Sequence, residues 1–158
     1  MTNELNIREA KIGEINTLLE FEQGIVSAER PFDPTLKPGE IHYYDLVKLI
    51  ESPLSAVYVV ELDGELIASG YVQEREAKDY LKHEKYAYLG FIFVKPEHRG
   101  KGVNQRILDA LFQWAKERDL TEVRLEVYSE NASAIRAYQK AGFEPLLLEM
   151  RMSINEEG

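Results

Sequence analysis

Two glycines set between basic residues mark the most informative stretch of the sequence, which runs from Val94 to Asn104. Arg99 and Lys101 alternate with Gly100 and Gly102, between an apolar run and a segment with helical periodicity. The start of a helix presents unpaired backbone N–H groups and a partial positive charge, and glycine lets an anion approach them closely. The pattern predicts a phosphate-binding loop, although Gly-x-Gly by itself would equally suit the flexible start of an ordinary helix.

The local charge favours a bound anion. The chain carries a formal net charge of −9, which disfavours nucleic acids and anionic membranes as partners. The segment from Lys95 to Arg106 reverses this sign, because it holds four basic residues and one acidic residue, a net charge of +3.

A second pattern places Tyr138 seven residues after Asn131, in a segment that Gly142 ends. Seven residues make two helical turns, so the two side chains point from nearly the same face, roughly 10 Å apart. Both could therefore contact one extended ligand. Each residue also has an ordinary structural interpretation, Asn131 as a helix N-cap and Tyr138 as a core aromatic.

The elements that would position these residues follow from periodicity and turn residues. Apolar spacing predicts helices over about 12–26, 40–51, 103–118 and 131–141. Strands are predicted over 5–9, 56–62, 65–73, 86–94, 122–128 and 146–154, with Asp63-Gly64 as a hairpin turn and 86–94 as the central strand. The order β-α-α-β-β-β-α-β-α-β predicts an α/β (α+β) fold, a mixed sheet with helices on both sides, in a single domain over residues 1–158.

The two patterns resemble the two signatures of the GNAT superfamily of N-acetyltransferases, and the resemblance covers roughly Tyr86 to Phe143. The family's loop has Arg or Gln, two residues, Gly, one residue, then Gly or Ala. Here 99–103 matches that loop, and Asn104 replaces its final small residue. The family's second signature, Asn, two residues, Ala, three residues, Tyr, matches Asn131 and Tyr138. The resemblance implies a GNAT-like, mostly antiparallel central sheet flanked by helices.

The resemblance also implies acetyl-CoA as co-substrate and a primary amine, on a small molecule or a protein, as acetyl acceptor. The matching cofactor-binding positions are Ile92, Phe93, Val94, Arg99, Gly100, Lys101, Gly102, Val103, Asn104 and Asn131. Strand 92–94 would pair with the pantetheine arm, and Tyr138 would protonate the departing CoA thiolate. The chain has no cysteine that could carry the acyl group, which favours direct attack by the amine within a ternary complex.

These motifs specify neither the general base nor the acceptor. Some family members carry a Glu six residues before the position that matches Val94, where this sequence has Tyr88. Glu126, Glu84 and a water chain are therefore all candidates for the base. The acids and aromatics in the segment 24–45 would suit a cationic amine or, equally, a half-buried loop. They are Glu29, Phe32, Asp33, Tyr43, Tyr44 and Asp45, with Arg30 and His42 beside them.

A noncatalytic acyl-CoA-binding sensor module is the alternative function. Asn104 and the missing Glu favour it, and Tyr138 argues against it. The resemblance is also compatible with a homodimer.

Composition limits the chemistry further. The absence of cysteine excludes disulfides and thiolate metal sites, and the three histidines lie in no metal-ligand spacing, so no metal is expected. The N-terminus lacks the basic start and apolar run of a secretory signal, and no long apolar stretch follows. We therefore expect a cytoplasmic protein without a membrane partner.

Overall fold

The computed structural model describes residues 4–155, which contain five strands and four α-helices. The strands are β1 (Asn6–Glu9), β2 (Ser55–Leu62), β3 (Glu65–Glu76), β4 (Lys85–Val94) and β5 (Val123–Arg124). The helices are α1 (Ile15–Glu29), α2 (Leu46–Glu51), α3 (Val103–Glu117) and α4 (Ala132–Ala141). The strands form one sheet in sequence order, antiparallel except for the parallel pair β4 and β5. The mixed, mostly antiparallel sheet flanked by helices is confirmed.

The chain divides into two compact units, Met1–Glu126 and Val127–Gly158. The first unit holds the sheet with α1, α2 and α3, and the second holds α4. The single domain over residues 1–158 stays a prediction.

The hairpin between β2 and β3 forms as its turn residues predict. Asp63 and Gly64 both have positive φ angles, 53° and 82°, and Leu62 pairs with Glu65 across the turn. Two positive φ values give a turn whose twist matches that of the flanking strands. The turn therefore fixes the register of β2 against β3.

The two faces of the sheet are covered by different helices. Successive residues of a strand point to opposite faces. Tyr71 belongs to a buried cluster with residues of α1 and α2, whereas a Cβ built on the adjacent Gly70 would meet Ile107 and Leu111 of α3. The α1/α2 face and the α3 face are therefore opposite sides of β3.

Replacing Gly70 tests the close packing of α3 on the sheet. A Cβ at this position would lie 2.8 Å from Ile107 Cγ2 and 3.3 Å from Leu111 Cδ1, both of them buried side chains. We expect Gly70→Ala to lower the free energy of unfolding by roughly 1–3 kcal/mol through overpacking. Urea unfolding measures this change. Gly13→Ala, where a Cβ would meet nothing within 4 Å, is the control, and an equal effect of both substitutions would contradict the packing.

Helix α2 is shorter than predicted, because it begins at Leu46 and not near residue 40. The backbone N–H groups of Tyr43 and Tyr44 donate to the side chain of Glu22 on α1, so residues 42–44 stay outside a helix. Asp45 then caps α2, since its carboxylate accepts from the N–H of Lys48 at 3.1 Å. A tertiary contact overrides the local apolar spacing here.

Of the two strands predicted near the C-terminus, the first is shorter than predicted and the second does not form. The strand predicted over 122–128 is reduced to Val123–Arg124, and no strand occurs within the described residues 143–155, where one was predicted over 146–154. A strand needs a neighbouring backbone for its N–H and C=O groups, and apolar composition alone does not supply one. The large apolar side chains of this segment are exposed, at Leu146, Leu147, Leu148, Met150, Met152 and Ile154.

Candidate active site

Strand β4 contains a β-bulge just before the predicted pantetheine-binding positions. Tyr71 of β3 pairs with Gly90, but Ser69, two residues earlier, pairs with Phe93, three residues later. The extra residue leaves Phe91 with a φ of 56°, in the left-handed region that an aromatic residue rarely adopts. The bulge changes the direction of the strand at Phe91 and Ile92.

Beyond the bulge, one edge of β4 lacks a strand partner. Within residues 4–155, β4 pairs with β5 only at Ala87 and Tyr88. The backbone of residues 89–94 therefore has no strand on that side in the described part of the chain. Ile92, Phe93 and Val94 lie on this stretch, and all three are half-buried. An unpaired edge of this kind can add an extended ligand as a further strand.

The predicted phosphate loop leads directly into α3. Gly100 and Gly102 have φ angles of 75° and 82°, and Gly102 is the N-cap of α3, without a side-chain cap. A Cβ on either glycine would meet nothing within 4 Å, so the backbone conformation requires these glycines and local crowding does not. Val103 and Asn104 form the first turn of α3, whose N–H groups are a typical anion site.

The basic side chains around this loop differ in how freely they could bind an anion. The ammonium of Lys95 pairs with Glu65 at 2.5 Å, and this hydrogen bond holds the pKa of Glu65 below its usual value. Arg99 and Lys101 are exposed, and the Nε of Arg99 donates to the carbonyl of Val94 at 2.9 Å. Arg106, one turn into α3, is also exposed. The loop residues 99–104 thus fit a diphosphate group in charge, in glycine conformation and in helix position.

A cluster of tyrosines lies on the α1/α2 face, beside the bulge. The ring of Tyr44 lies 5.6 Å from that of Tyr71, and Tyr71 lies 6.3 Å from Tyr88. The guanidinium of Arg75 stacks on the Tyr88 ring at 3.7 Å. Burial raises the pKa values of Tyr44, Tyr71 and Tyr88, so these phenols are neutral at physiological pH.

The two carboxylates considered as general bases have different surroundings. Burial raises the pKa of Tyr88, and the charge of Glu126 raises it further. Glu84 lies at the end of the loop before β4, where its carbonyl accepts from the N–H of Ala77 at 2.8 Å, and both carboxylates are exposed. Glu126 is the one whose charge acts on the tyrosine cluster, at Tyr71 and Tyr88.

Sequence analysis overlooked Glu22, a fully buried carboxylate in the middle of α1. Its oxygens accept from the N–H groups of Tyr43 and Tyr44 at 2.6 and 2.9 Å, and His42 Nδ1 lies 2.9 Å away. A signal was available, since Glu22 lies four residues from both Leu18 and Val26, on the apolar face of the helix. An acid at such a position needs buried hydrogen-bond donors.

The second unit contains the other two predicted site residues. Asn131 is the N-cap of α4, where its Oδ1 accepts from the N–H of Ala134 at 3.2 Å. Tyr138 lies two turns later and makes an edge-on contact with Phe143, with ring centroids 5.9 Å apart. Gly142 ends the helix with a φ of 115°. The N-cap interpretation of Asn131 is confirmed, and the cofactor roles of both residues stay predictions.

Residues 4–155 contain no group of three or more His, Asp or Glu side chains that could hold a metal ion. No helix in this part of the chain has the length and apolar character needed to cross a membrane.

Known proteins resemble this chain in sequence and in fold. A model of the acetyltransferase (GNAT) family matches residues 22–143. A putative [ribosomal protein bS18]-alanine N-acetyltransferase of Bacillus subtilis is 26% identical over 145 residues, 92% of this chain and 84% of that protein. An aminoglycoside N(6')-acetyltransferase type 1 of Salmonella typhimurium is 24% identical over 68% of this chain and 74% of its own length.

A shorter match has higher identity. The uncharacterized N-acetyltransferase YobR of Bacillus subtilis is 39% identical over 61 residues, 39% of this chain but only 25% of that protein. Among solved structures, a predicted acetyltransferase from Clostridium acetobutylicum with acetyl-CoA superimposes with a TM-score of 0.72. It is 20% identical, with 96% of this chain and 97% of the other covered. Because the family model covers most of the sequence and the fold agrees, this chain is an acyltransferase that belongs to the GNAT family.

Proposed function

We propose that this chain transfers the acetyl group of acetyl-CoA to a primary amine by direct attack within a ternary complex. The observation that carries the proposal is the edge of β4 at residues 92–94, which has no strand partner among the described residues 4–155 and leads to the N-terminus of α3, where the N-cap Gly102 offers no side chain. An extended pantetheine arm suits the first feature, and a diphosphate suits the second. The two lie next to each other in the chain.

The residues proposed to hold acetyl-CoA are those of the loop and the strand edge. The first-turn N–H groups of α3, with Arg99 and Lys101, would bind the diphosphate, and Asn104 would add an amide donor there. Ile92 and Val94 would offer backbone groups to the pantetheine arm, and a backbone N–H there would polarise the thioester carbonyl. Asn131 is proposed as a further contact. Acetyl-CoA supplies the activated acetyl thioester.

Two proton transfers are proposed for side chains of this chain. Tyr138 would protonate the CoA thiolate as it leaves. Glu126 would accept the proton of the amine, and the effect of its charge on the pKa of Tyr88 supports this choice over Glu84. Since an amine is mostly protonated at neutral pH, a base must accept a proton from it before or during attack.

The acceptor is proposed to bind beside the segment that precedes α2. Residues 42–47, with Ile15 and Leu19, line an open cavity of about 510 Å³, which is large enough for a small amine or the end of a peptide. Burial raises the pKa of Tyr43, which lines this cavity, to about 12, so its phenol is neutral at physiological pH. Burial also raises the pKa of Glu29. The relatives are named for an aminoglycoside and for a protein alanine, so both amine classes belong in an assay.

The choice of Glu126 as base can be tested by comparing Glu126→Gln with Glu84→Gln. We expect Glu126→Gln to lower kcat/KM for the amine by about 10² at pH 7, in the range for loss of a general base. The loss should shrink as the pH rises, because a growing fraction of the amine is already neutral. Glu84→Gln should leave the rate unchanged. Equal rates for both variants and the wild type would instead favour a water chain.

The proposed reaction is tested by initial velocities measured while acetyl-CoA and the amine are both varied. Direct transfer predicts intersecting lines in a double-reciprocal plot and an acetylated amine detectable by mass spectrometry. Parallel lines would indicate an acetylated enzyme and would contradict direct attack. Binding of CoA without any acetylated product would favour a noncatalytic acyl-CoA sensor.

A further inference from the structure

The bulge in β4 is stabilised from both sides by side chains of other elements. Phe91 and Ile92 have no register partner on β3, so the backbone groups of Phe91 need hydrogen bonds from elsewhere. The hydroxyl of Ser69, which is fully buried, donates to the carbonyl of Phe91 at 2.9 Å. On the other side, the aromatic ring of Tyr44 lies against the ring of Phe91.

Tyr44 is itself fixed by a buried acid. Its N–H donates to Glu22 Oε2 at 2.9 Å, and the neighbouring N–H of Tyr43 donates to the same oxygen at 2.6 Å. The rings of Tyr44 and Phe91 lie edge to face, 5.3 Å apart. Glu22 is fully buried in α1, so its position is determined by the core of the fold.

The imidazole of His42 lies between this acid and a second carboxylate, and hydrogen bonding to Glu22 raises the pKa of His42. His42 Nδ1 lies 2.9 Å from Glu22 Oε1, and its Nε2 lies 3.0 Å from Glu40 Oε2. A ring between two carboxylates donates from both nitrogens only as the imidazolium. Beside it, Gln23 Nε2 donates to the carbonyl of Ile41 at 2.8 Å, so two consecutive residues of α1 hold the backbone of residues 41–44.

We infer that Glu22 and Tyr44 are positioning residues that join the acceptor-side segment 41–44 to the β4 bulge and so align the amine with the thioester. The inference rests on the proposed function, because the bulge matters for transfer only if residues 92–94 hold acetyl-CoA. The inferred link runs from Glu22 through the backbone and ring of Tyr44 to Phe91, and in it the Tyr44 hydroxyl accepts a hydrogen bond from the N–H of Phe91. Neither side chain lies in the loop 99–104, so binding of the diphosphate should not depend on them.

The kinetic test uses Tyr44→Phe, which keeps the ring and removes the hydroxyl. We expect kcat at saturating amine to fall about tenfold, since small displacements of reacting groups have large effects on rate. Because Tyr44 lines the cavity proposed for the acceptor, a rise in KM alone would indicate only a lost contact with the amine. The affinity for CoA, measured by calorimetry, should fall by less than kcat does, since the diphosphate is proposed to bind at residues 99–104. Tyr80→Phe, at an exposed tyrosine, is the matched control. A rate equal to that control, or a parallel loss of CoA affinity, would overturn the inference.

A double-mutant cycle separates positioning from general destabilisation. Glu22→Gln keeps the shape of the side chain but weakens its hold on the two N–H groups. If both residues act through one link, the variant that combines Glu22→Gln with Tyr44→Phe should lose no more activity than the worse single variant. Multiplied losses would show independent effects and would contradict the link. If Glu22→Gln fails to fold, the comparison of Tyr44→Phe with its control still decides.

Amide hydrogen exchange measured by NMR tests the link without any amine. In the wild type the amide of Phe91 should exchange slowly, and in Tyr44→Phe it should exchange at least about tenfold faster. Unchanged exchange would remove the physical link, whatever the activity. If the wild type acetylates no amine, the proposed function and the positioning role both fall. A wild type that acetylates an amine, with Tyr44→Phe indistinguishable from Tyr80→Phe, refutes the positioning role alone.

Discussion

Replacing Tyr138 by Phe should lower kcat for acetyl transfer by about 10² or more, with little change in the Kd for CoA. The substitution keeps the ring and its edge-on contact with Phe143 and removes only the hydroxyl. Loss of a general acid typically reduces rate by 10²–10⁴, because a poor leaving group must then depart unprotonated. Stopped-time thiol release with saturating amine measures kcat, and calorimetry measures CoA binding.

A matched control for this variant is Tyr128→Phe, at a tyrosine that precedes α4 and lies outside the matched signature. The control should retain the wild-type rate. If Tyr138→Phe is as active as the control, the departing thiolate is protonated by another group or by water. A loss of CoA affinity equal to the loss of rate would indicate a binding role in place of an acid.

Replacing Gly102 by Ala should weaken CoA binding by about tenfold or more. At a φ of 82° a Cβ meets its own backbone, which costs about 1–2 kcal/mol per residue. Relief of this strain would rotate the first turn of α3, whose N–H groups are proposed to bind the diphosphate. Isothermal titration with CoA measures the affinity directly.

Gly64→Ala is a close control for that substitution. Gly64 has the same φ of 82°, a Cβ there would also meet nothing within 4 Å, and it lies in the β2–β3 turn. Both variants should lose a similar amount of stability, but only Gly102→Ala should lose affinity for CoA. If both variants bind CoA equally well, residues 99–104 do not bind the diphosphate.

The parts of the fold that sequence predicts well have local causes. Asp63 and Gly64 determine the hairpin by their preferred backbone angles, and the apolar spacing from Val103 onward determines α3. The loop before α3 was recognisable because glycine, positive charge and a helix start must occur together in an anion site. Each of these signals is contained in a few consecutive residues.

The parts that sequence missed depend on contacts between distant residues. The late start of α2 follows from Glu22, about twenty residues earlier, which binds the N–H groups of Tyr43 and Tyr44. The bulge at Phe91 has no marker of its own, since an aromatic residue does not predict a positive φ. Its side-chain partners are Ser69 on β3 and Tyr44 before α2, which no local sequence pattern connects with it.

The C-terminal segment illustrates a different limit. Apolar composition over 146–154 predicted a strand, but pairing requires a partner whose length is set elsewhere. Strand β5 contains only Val123 and Arg124, and the described residues 143–155 contain no strand. Propensity therefore identified residues that are able to form a strand, without determining whether they pair.

The most direct test of acetyl transfer by this chain is thiol release from acetyl-CoA, measured for the wild type with and without each member of an amine panel. The panel should contain an aminoglycoside, a peptide with a free N-terminus, a polyamine and a free amino acid. We predict release that depends on at least one amine, matched mole for mole by the acetylated product. CoA binding without amine-dependent release from any of the four classes would contradict the account and favour a noncatalytic CoA-binding module.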